Sequence, residues 1–323
     1  MSTTQGYFNF FNKQAEPPET LDDYELEIKL KELSRKIHPI NILVPVMIIL
    51  PFFTFIFVFL SGILFPGIPN SIFYLVPVSF LGFAVLIIIT TKRAALEGKV
   101  RSLVGHNLVR SALAREFELE ECAAEKYIDA EIIRATTLLS TWNRESGSYY
   151  IQGKYKGVSF SFSCLDLRYR SSGKNSTTST IFKGQWITIR FSKDLPFTMQ
   201  TRLKKQFWGR DKESDVETNN EDFNKKYRIK TSDPQMALSI LTPRLTDFII
   251  NKDDQANGQT YLHFMSNHVH IALNNGRNLF EVKSKEILRG MTIGDIRDRI
   301  REDYSKYIAR VLDEFLLNSD LFR

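Results

Sequence analysis

From residue 39 to residue 91 no Asp, Glu, Lys, Arg or His interrupts the chain. The segment 66–71, Pro-Gly-Ile-Pro-Asn-Ser, divides this stretch into apolar runs at 39–65 and 72–91. A run of about 20 apolar residues is long enough to cross a bilayer as a helix, so the pattern predicts an N-terminal transmembrane helical hairpin. Pro45 and Pro51 fall inside the first run and predict kinks there. Lys29, Lys31, Arg35 and Lys36 precede the hairpin, and Lys92, Arg93, Lys99 and Arg101 follow it, while the connecting turn carries no cation. Cations gather on the cytoplasmic side, which places both termini and the main domain on the cytoplasmic side of a two-span membrane hairpin. A charged segment of 38 residues before the first run argues against a cleaved signal peptide.

Outside that stretch the pattern is helical, then extended, then helical again. Residues 1–19 read as a disordered tail, although Tyr7, Phe8, Phe10 and Phe11 form an aromatic cluster within it. Leu26, Leu30, Leu33 and Ile37 recur at helical spacing and predict a cytoplasmic amphipathic helix over 20–38. Residues 92–140 read as a helical stalk: the stripe Leu96, Val100, Leu103, Val104 and Leu108 continues the second run, and 118–140 adds a further helix with acidic residues at its start. From 141 to 323 the pattern predicts one cytoplasmic domain. β-Branched and aromatic residues at 149–151, 157–166 and 181–191 predict strands, with alternation through Val158, Ser159, Phe160, Ser161 and Phe162. Asp233-Pro234 and Thr242-Pro243 open two helices, because Pro suits the first helical position and Asp or Thr can cap. Residues 261–265 and 269–273 bracket Ser266-Asn267 as an antiparallel hairpin, and Thr292 with Asp295 starts the last helix like a capping box. The expected class is α+β: a transmembrane helical hairpin with a helical stalk, then a domain built on a mixed or antiparallel sheet.

Charge adds little to this picture. The 323 residues carry a net charge of +6, and the excess lies after residue 91, where 38 basic residues face 30 acidic ones. The basic residues are interspersed with acidic ones, which favours proximity to anionic lipid over nucleic acid as a partner. Cys122 and Cys164 stand too far apart for a metal motif or a disulfide framework.

The strings Ile181-Phe-Lys-Gly-Gln-Trp186, Asp222-Phe-Asn-Lys-Lys-Tyr-Arg-Ile-Lys-Thr231, Met236-Ala-Leu-Ser-Ile-Leu-Thr-Pro243 and Asn278-Leu-Phe-Glu281 follow one another in order. Together they resemble an uncharacterised family of two-span bacterial membrane proteins, domain of unknown function 3137. The resemblance covers roughly residues 145–285. It implies topology and a bacterial source, hence the bacterial inner membrane as the expected location, and no reaction.

Candidate chemistry is sparse. His263, His268 and His270 share one face of the predicted hairpin and are of a type that binds zinc, but no Cys or carboxylate stands nearby in sequence to complete a site. Packing beside Tyr261 or exposure to solvent is the simpler reading of the three. Arg202, Lys204, Lys205, Phe207, Trp208, Arg210 and Lys212 interleave cations with aromatics and form the candidate interaction patch. A solvated helix face with buried aromatics is the plainer account of them. No P-loop, dinucleotide turn, HExxH motif or nucleophile elbow is present. No catalytic residue, metal ligand or cofactor is assigned. The expected function is a non-catalytic, membrane-anchored scaffold or regulatory module with a protein partner and a homo-oligomeric state. A tethered small-ligand sensor is the alternative, and an enzyme acting on lipid or phosphorylated substrates stands behind it.

Overall fold

A computed structural model describes residues 20–64, 75–173, 176–191, 193–204 and 216–316. The aromatic cluster at 7–11 with its tail, and the turn at 66–71, lie outside the described residues. By contact the chain divides into a unit of residues 1–104 with 282–296, and a unit of residues 105–281 with 297–323.

In the first unit, α1 (Asp23–Leu64) packs on α2 (Leu75–Val104) and on the short α8 (Ser284–Leu288). The amphipathic stripe at the start of α1 is buried as its spacing predicts, at Leu26, Leu30 and Ile37, and Val100 and Val104 of α2 are buried as well. Further along, Ile42, Leu43, Val46, Ile48, Ile49, Phe53 and Leu60 of α1 are exposed, as are Leu81, Val85, Ile87 and Ile88 of α2.

Among the described residues no helix is long and apolar enough to cross a membrane. That finding overturns the transmembrane hairpin, and with it the two-span topology and the inner-membrane placement of termini and domain. Both apolar runs are continuous with charged helix, through Lys29 to Lys36 in α1 and through Lys92 to Arg101 in α2.

The second unit is built on eight strands: β1 (Glu118–Ala123), β2 (Arg144–Tyr155), β3 (Val158–Arg170), β4 (Thr178–Arg190), β5 (Met199–Leu203), β6 (Tyr227–Thr231), β7 (Gln259–Met265) and β8 (His268–Asn274). They form one sheet in the order β1-β2-β3-β4-β8-β7-β5-β6. Every pairing is antiparallel, so the sheet is purely antiparallel rather than mixed. Two further departures from the periodicity are local. The helix expected over 118–140 is instead the edge strand β1 followed by the short α4 (Ala130–Ala135), whose cap Asp129 accepts from the Glu131 amide at 2.8 Å. The helix expected through 117 passes after Val104 into a π-helical turn at Gly105–Val109 and then α3 (Arg110–Leu113). Glu314 binds Arg244 through two contacts at 2.9 and 3.0 Å.

The short-range signals hold. Asp233 caps α6 (Pro234–Ile240), and Thr242 caps α7 (Pro243–Ala256) through the Leu245 amide at 3.3 Å. The Thr292 amide donates to Asp295 Oδ2 at 2.8 Å, and the Asp295 amide to Thr292 Oγ1 at 3.1 Å, forming the expected box ahead of α9 (Ile293–Arg299). A second π-helical turn, Ile300–Ser305, leads into α10 (Lys306–Leu316). The remaining short helix, α5 (Glu221–Lys226), precedes β6 and is capped by Asn220.

Residues directly opposite one another in a ladder share a face of the sheet. Cys122, Ile151, Phe162, Ile187, Ile271, Leu262, Thr201 and Ile229 stand opposite one another in turn, one from each strand, as an almost wholly apolar row. On that face Phe117, at the end of the segment after α3, packs at a tilt against Tyr155 and Phe160, and Tyr155 donates to Asp313 of α10 at 3.0 Å. On the opposite face α4 and its flanking chain bury Ile128, Ile133, Leu138 and Trp142 against Leu165, Phe182, Trp186 and Tyr261. Gly184 is required at the centre of β4, because a Cβ there would lie 1.9 Å from the Leu273 carbonyl oxygen.

Candidate functional site

One step along the pleat from the apolar row runs a polar one. Glu121 of β1 stands opposite Gln152, which stands opposite Ser161, Thr188, His270, His263, Gln200 and Lys230 in turn. Each of the eight strands supplies one polar side chain. The next row on the same face runs Lys154, Ser159, Arg190, His268 and Met265.

Because α4 covers only part of this face, the polar rows from β1 to β8 form the floor of a cleft of about 1050 Å³. Its floor includes Gln152, Ser159, Ser161, Thr188 and His270. Tyr127, Asp129 and Ile132 rise on the α4 side, and Glu120, Glu121 and Glu125 stand at the β1 end.

Two histidines of the polar row are locked by the row itself. His270 is 3% exposed. The indole Nε1 of Trp186 donates to its Nδ1 at 3.4 Å, and Thr188 Oγ1 lies 3.1 Å from the same nitrogen. An indole N–H can only donate, so Nδ1 is the acceptor and the ring proton sits on Nε2. Burial, then the neighbouring His263 and His268, pulls the His270 pKa down to about 3. His263 is 4% exposed and pushed down to about 4 by burial and by the Arg202 guanidinium. Its Nε2 lies 3.1 Å from the Gln200 amide nitrogen, while its buried Nδ1 has no hydrogen-bond partner among the described residues. His268 is half-buried, and burial and Arg190 lower its pKa. All three rings are therefore neutral near pH 7.

The three histidines do share a face, but the rings do not converge. Centroids lie 6.0 Å apart for His268 and His270 and 6.4 Å for His263 and His270. Among the described residues no group of three His, Cys, Asp or Glu side chains could hold a metal ion.

The basic and aromatic patch is only partly placed. Arg202 lies on β5 rather than on a helix, and its guanidinium donates to Thr137 and, at 2.8 Å, to Gln200 Oε1. Lys204 follows the strand and is exposed. Lys205, Phe207, Trp208, Arg210 and Lys212 lie outside the described residues. The cleft residues Gln152, Ser161, Thr188 and Arg190 were not singled out from sequence. The alternation through Ser159, Ser161 and Ser163 was the available signal, since it marks one polar strand face.

An α+β protein whose antiparallel sheet is apolar on one face and carries a polar cleft on the other is the class these features define. Residues 180–314 match the family described as Protein of unknown function (DUF3137), an uncharacterised domain. The match runs from β4 to α10 and takes in Thr188, Arg190, His268 and His270. No curated protein matches the chain. Among solved structures, the crystal structure of the mycobacterial trehalose monomycolate transport factor A, TtfA, is similar at 10% identity and a TM-score of 0.34, covering 65% of this chain and 93% of that one.

Proposed function

We propose that the eight-stranded unit is a regulatory module that binds a small polar ligand in the cleft above the sheet, without performing chemistry on it. The observation that carries this reading is the cleft of about 1050 Å³ floored by hydroxyl, amide and imidazole groups from adjacent strands. Ligand pockets of this size hold a few placed polar groups among apolar walls, which here come from Ile132 and Met265. The absence of chemistry rests on the buried imidazoles. A general acid or base works best with a pKa near the operating pH, whereas His270 is held at about 3 with its Nδ1 already occupied.

Filling the floor tests the reading. Thermal melting of the full chain against a panel of small polar metabolites is expected to show at least one that stabilises the wild type. At a concentration a hundredfold above Kd the gain is about 2.7 kcal/mol. Ser161→Trp is expected to melt like the wild type without ligand and to lose that gain. A compound that stabilises both proteins equally removes the cleft as the site.

A second reading, the protein-binding scaffold or homo-oligomer, is favoured by one observation. Ile42, Val46, Ile49 and Phe53 on α1, with Ile87 and Ile88 on α2, leave apolar side chains exposed. Contiguous exposed apolar surface marks an interaction site. Light scattering of the purified full chain is expected to give a mass of at least two protomers. A monomer across the accessible concentration range argues against the homo-oligomer.

A further inference from the structure

The charges around the cleft are segregated by strand. Glu120, Glu121 and Glu125 stand at the β1 end. Lys126 neutralises one of them, bonding Glu121 at 2.5 Å, and Glu120 accepts from the Gln152 amide at 2.9 Å. That end therefore keeps an acidic excess. At the other end Arg190 closes β4, opposite Ser159 on one side and His268 on the other. Its guanidinium has no ion pair among the described residues, and it faces His268, whose pKa is lowered by burial and then by Arg190. Asp129 is the other charged group of the lining, on the α4 wall, where its carboxylate caps the helix. Strands β1 and β4 are three positions apart in the sheet, so the two ends are separated by about 14 Å at the usual 4.7–4.9 Å spacing. Between them Gln152, Ser161 and Thr188 offer donors and acceptors at that same repeat.

A ligand that satisfies both ends carries a cation and an anion at opposite ends of an extended, hydrogen-bonding body. A polyanion meets the glutamates, and a polycation meets Arg190. An uncharged polyol uses the floor but leaves neither end with a counter-charge. Resting on the proposal that the cleft is a ligand site, we propose that it takes a short linear peptide. The ammonium lies among Glu120, Glu121 and Glu125, and the terminal carboxylate is held by Arg190. Three extended residues span about 10 Å, and the reach of the flanking side chains covers the rest. A guanidinium can hold a carboxylate through two parallel hydrogen bonds, a geometry that a lysine cannot reproduce.

The test is isothermal titration of the purified full chain with tri-alanine, its Nα-acetyl derivative and its C-terminal amide. Tri-alanine is expected to bind, and each blocked form is expected to bind at least tenfold more weakly. In Arg190→Gln the free acid and the amide are expected to become equivalent while the penalty for acetylation remains. In the double variant Glu120→Gln and Glu125→Gln the acetylated and free forms are expected to converge. Equal affinity of blocked and free peptides, or no binding of tri-alanine, overturns the peptide assignment. Maltotriose and spermidine run in parallel separate this failure from that of the cleft. If either binds the wild type but not Ser161→Trp while tri-alanine does not bind, the ligand class is wrong and the cleft stands as a site. If neither these probes nor the metabolite panel binds, both readings fall.

Discussion

Replacing Asp253 with alanine is expected to lower the stability of the eight-stranded unit by about 3–5 kcal/mol, the usual result of breaking a buried charge network from one side. Asp253 lies near the end of α7 and is 3% exposed. Its Oδ1 accepts from Thr260 Oγ1 at 2.7 Å, and its Oδ2 accepts from the Tyr227 hydroxyl and from Lys226 Nζ, the latter at 2.8 Å. The Tyr227 oxygen in turn accepts from the Thr260 amide at 2.7 Å. One carboxylate thus ties α7 to β6 and β7. Burial first, then Asp253, raises the Tyr227 pKa far above the usual phenol range, so its hydroxyl remains a donor throughout the working range. Alanine leaves the Tyr227 and Thr260 hydroxyls and the Lys226 ammonium without this acceptor. Asp253→Asn keeps a carbonyl oxygen and is expected to lose less. Urea unfolding monitored by tryptophan fluorescence checks both variants. A loss under about 1 kcal/mol for alanine would show that water replaces the carboxylate at little cost.

Acidification is expected to destabilise the same unit between about pH 6.5 and pH 4, a range in which surface carboxylates contribute only at the lower end. In the unfolded chain His263 and His270 protonate near 6.5, while in the folded protein they do so at about 4 and about 3. Between those limits the unfolded state binds more protons, so stability is complete above about 6.5 and falls as the pH falls. Each histidine contributes a slope of up to about 1.4 kcal/mol per pH unit. The groups facing them act in the same direction: Arg202 opposes a charge on His263, while His263 and His268 oppose one on His270. Urea unfolding at pH 7, 6 and 5 reads the slope. The double variant His263→Gln and His270→Asn is expected to flatten it over this interval, since both replacements remain uncharged. Parallel pH profiles for wild type and variant would assign the acid sensitivity to other groups.

Both expectations depend on which residues the sheet brings together, and the sequence reveals these unevenly. Signals acting over three or four residues are realised as written. Asp233 with Pro234, Thr242 with Pro243, and Thr292 with Asp295 each satisfy orphan amides at a helix start, a matter of local geometry. Where tertiary pairing competes, local preference loses. Glu118–Ala123 has the acidic texture of a helix start, yet it pairs with β2 and closes one edge of the sheet. The charge-free stretch at 39–91 shows another limit. Freedom from charge is necessary for a span but does not suffice, and the described helices carry their apolar segments as parts of longer charged ones. The histidines were visible as a trio on one face. Their burial, their neutral state and the hydrogen bonds of His270 to Trp186 and Thr188 depend on a partner strand about 80 residues away.

By itself, the sequence determined where α6, α7 and α9 begin, that β3 alternates, and that the chain combines helices with a sheet. It did so because capping and alternation are properties of adjacent residues. The tertiary structure alone decided the rows, since register assigns every side chain of a strand to one face or the other. Shifting β3 against β4 by a single residue would put Phe162 where Ser161 now stands, and the cleft floor would become core.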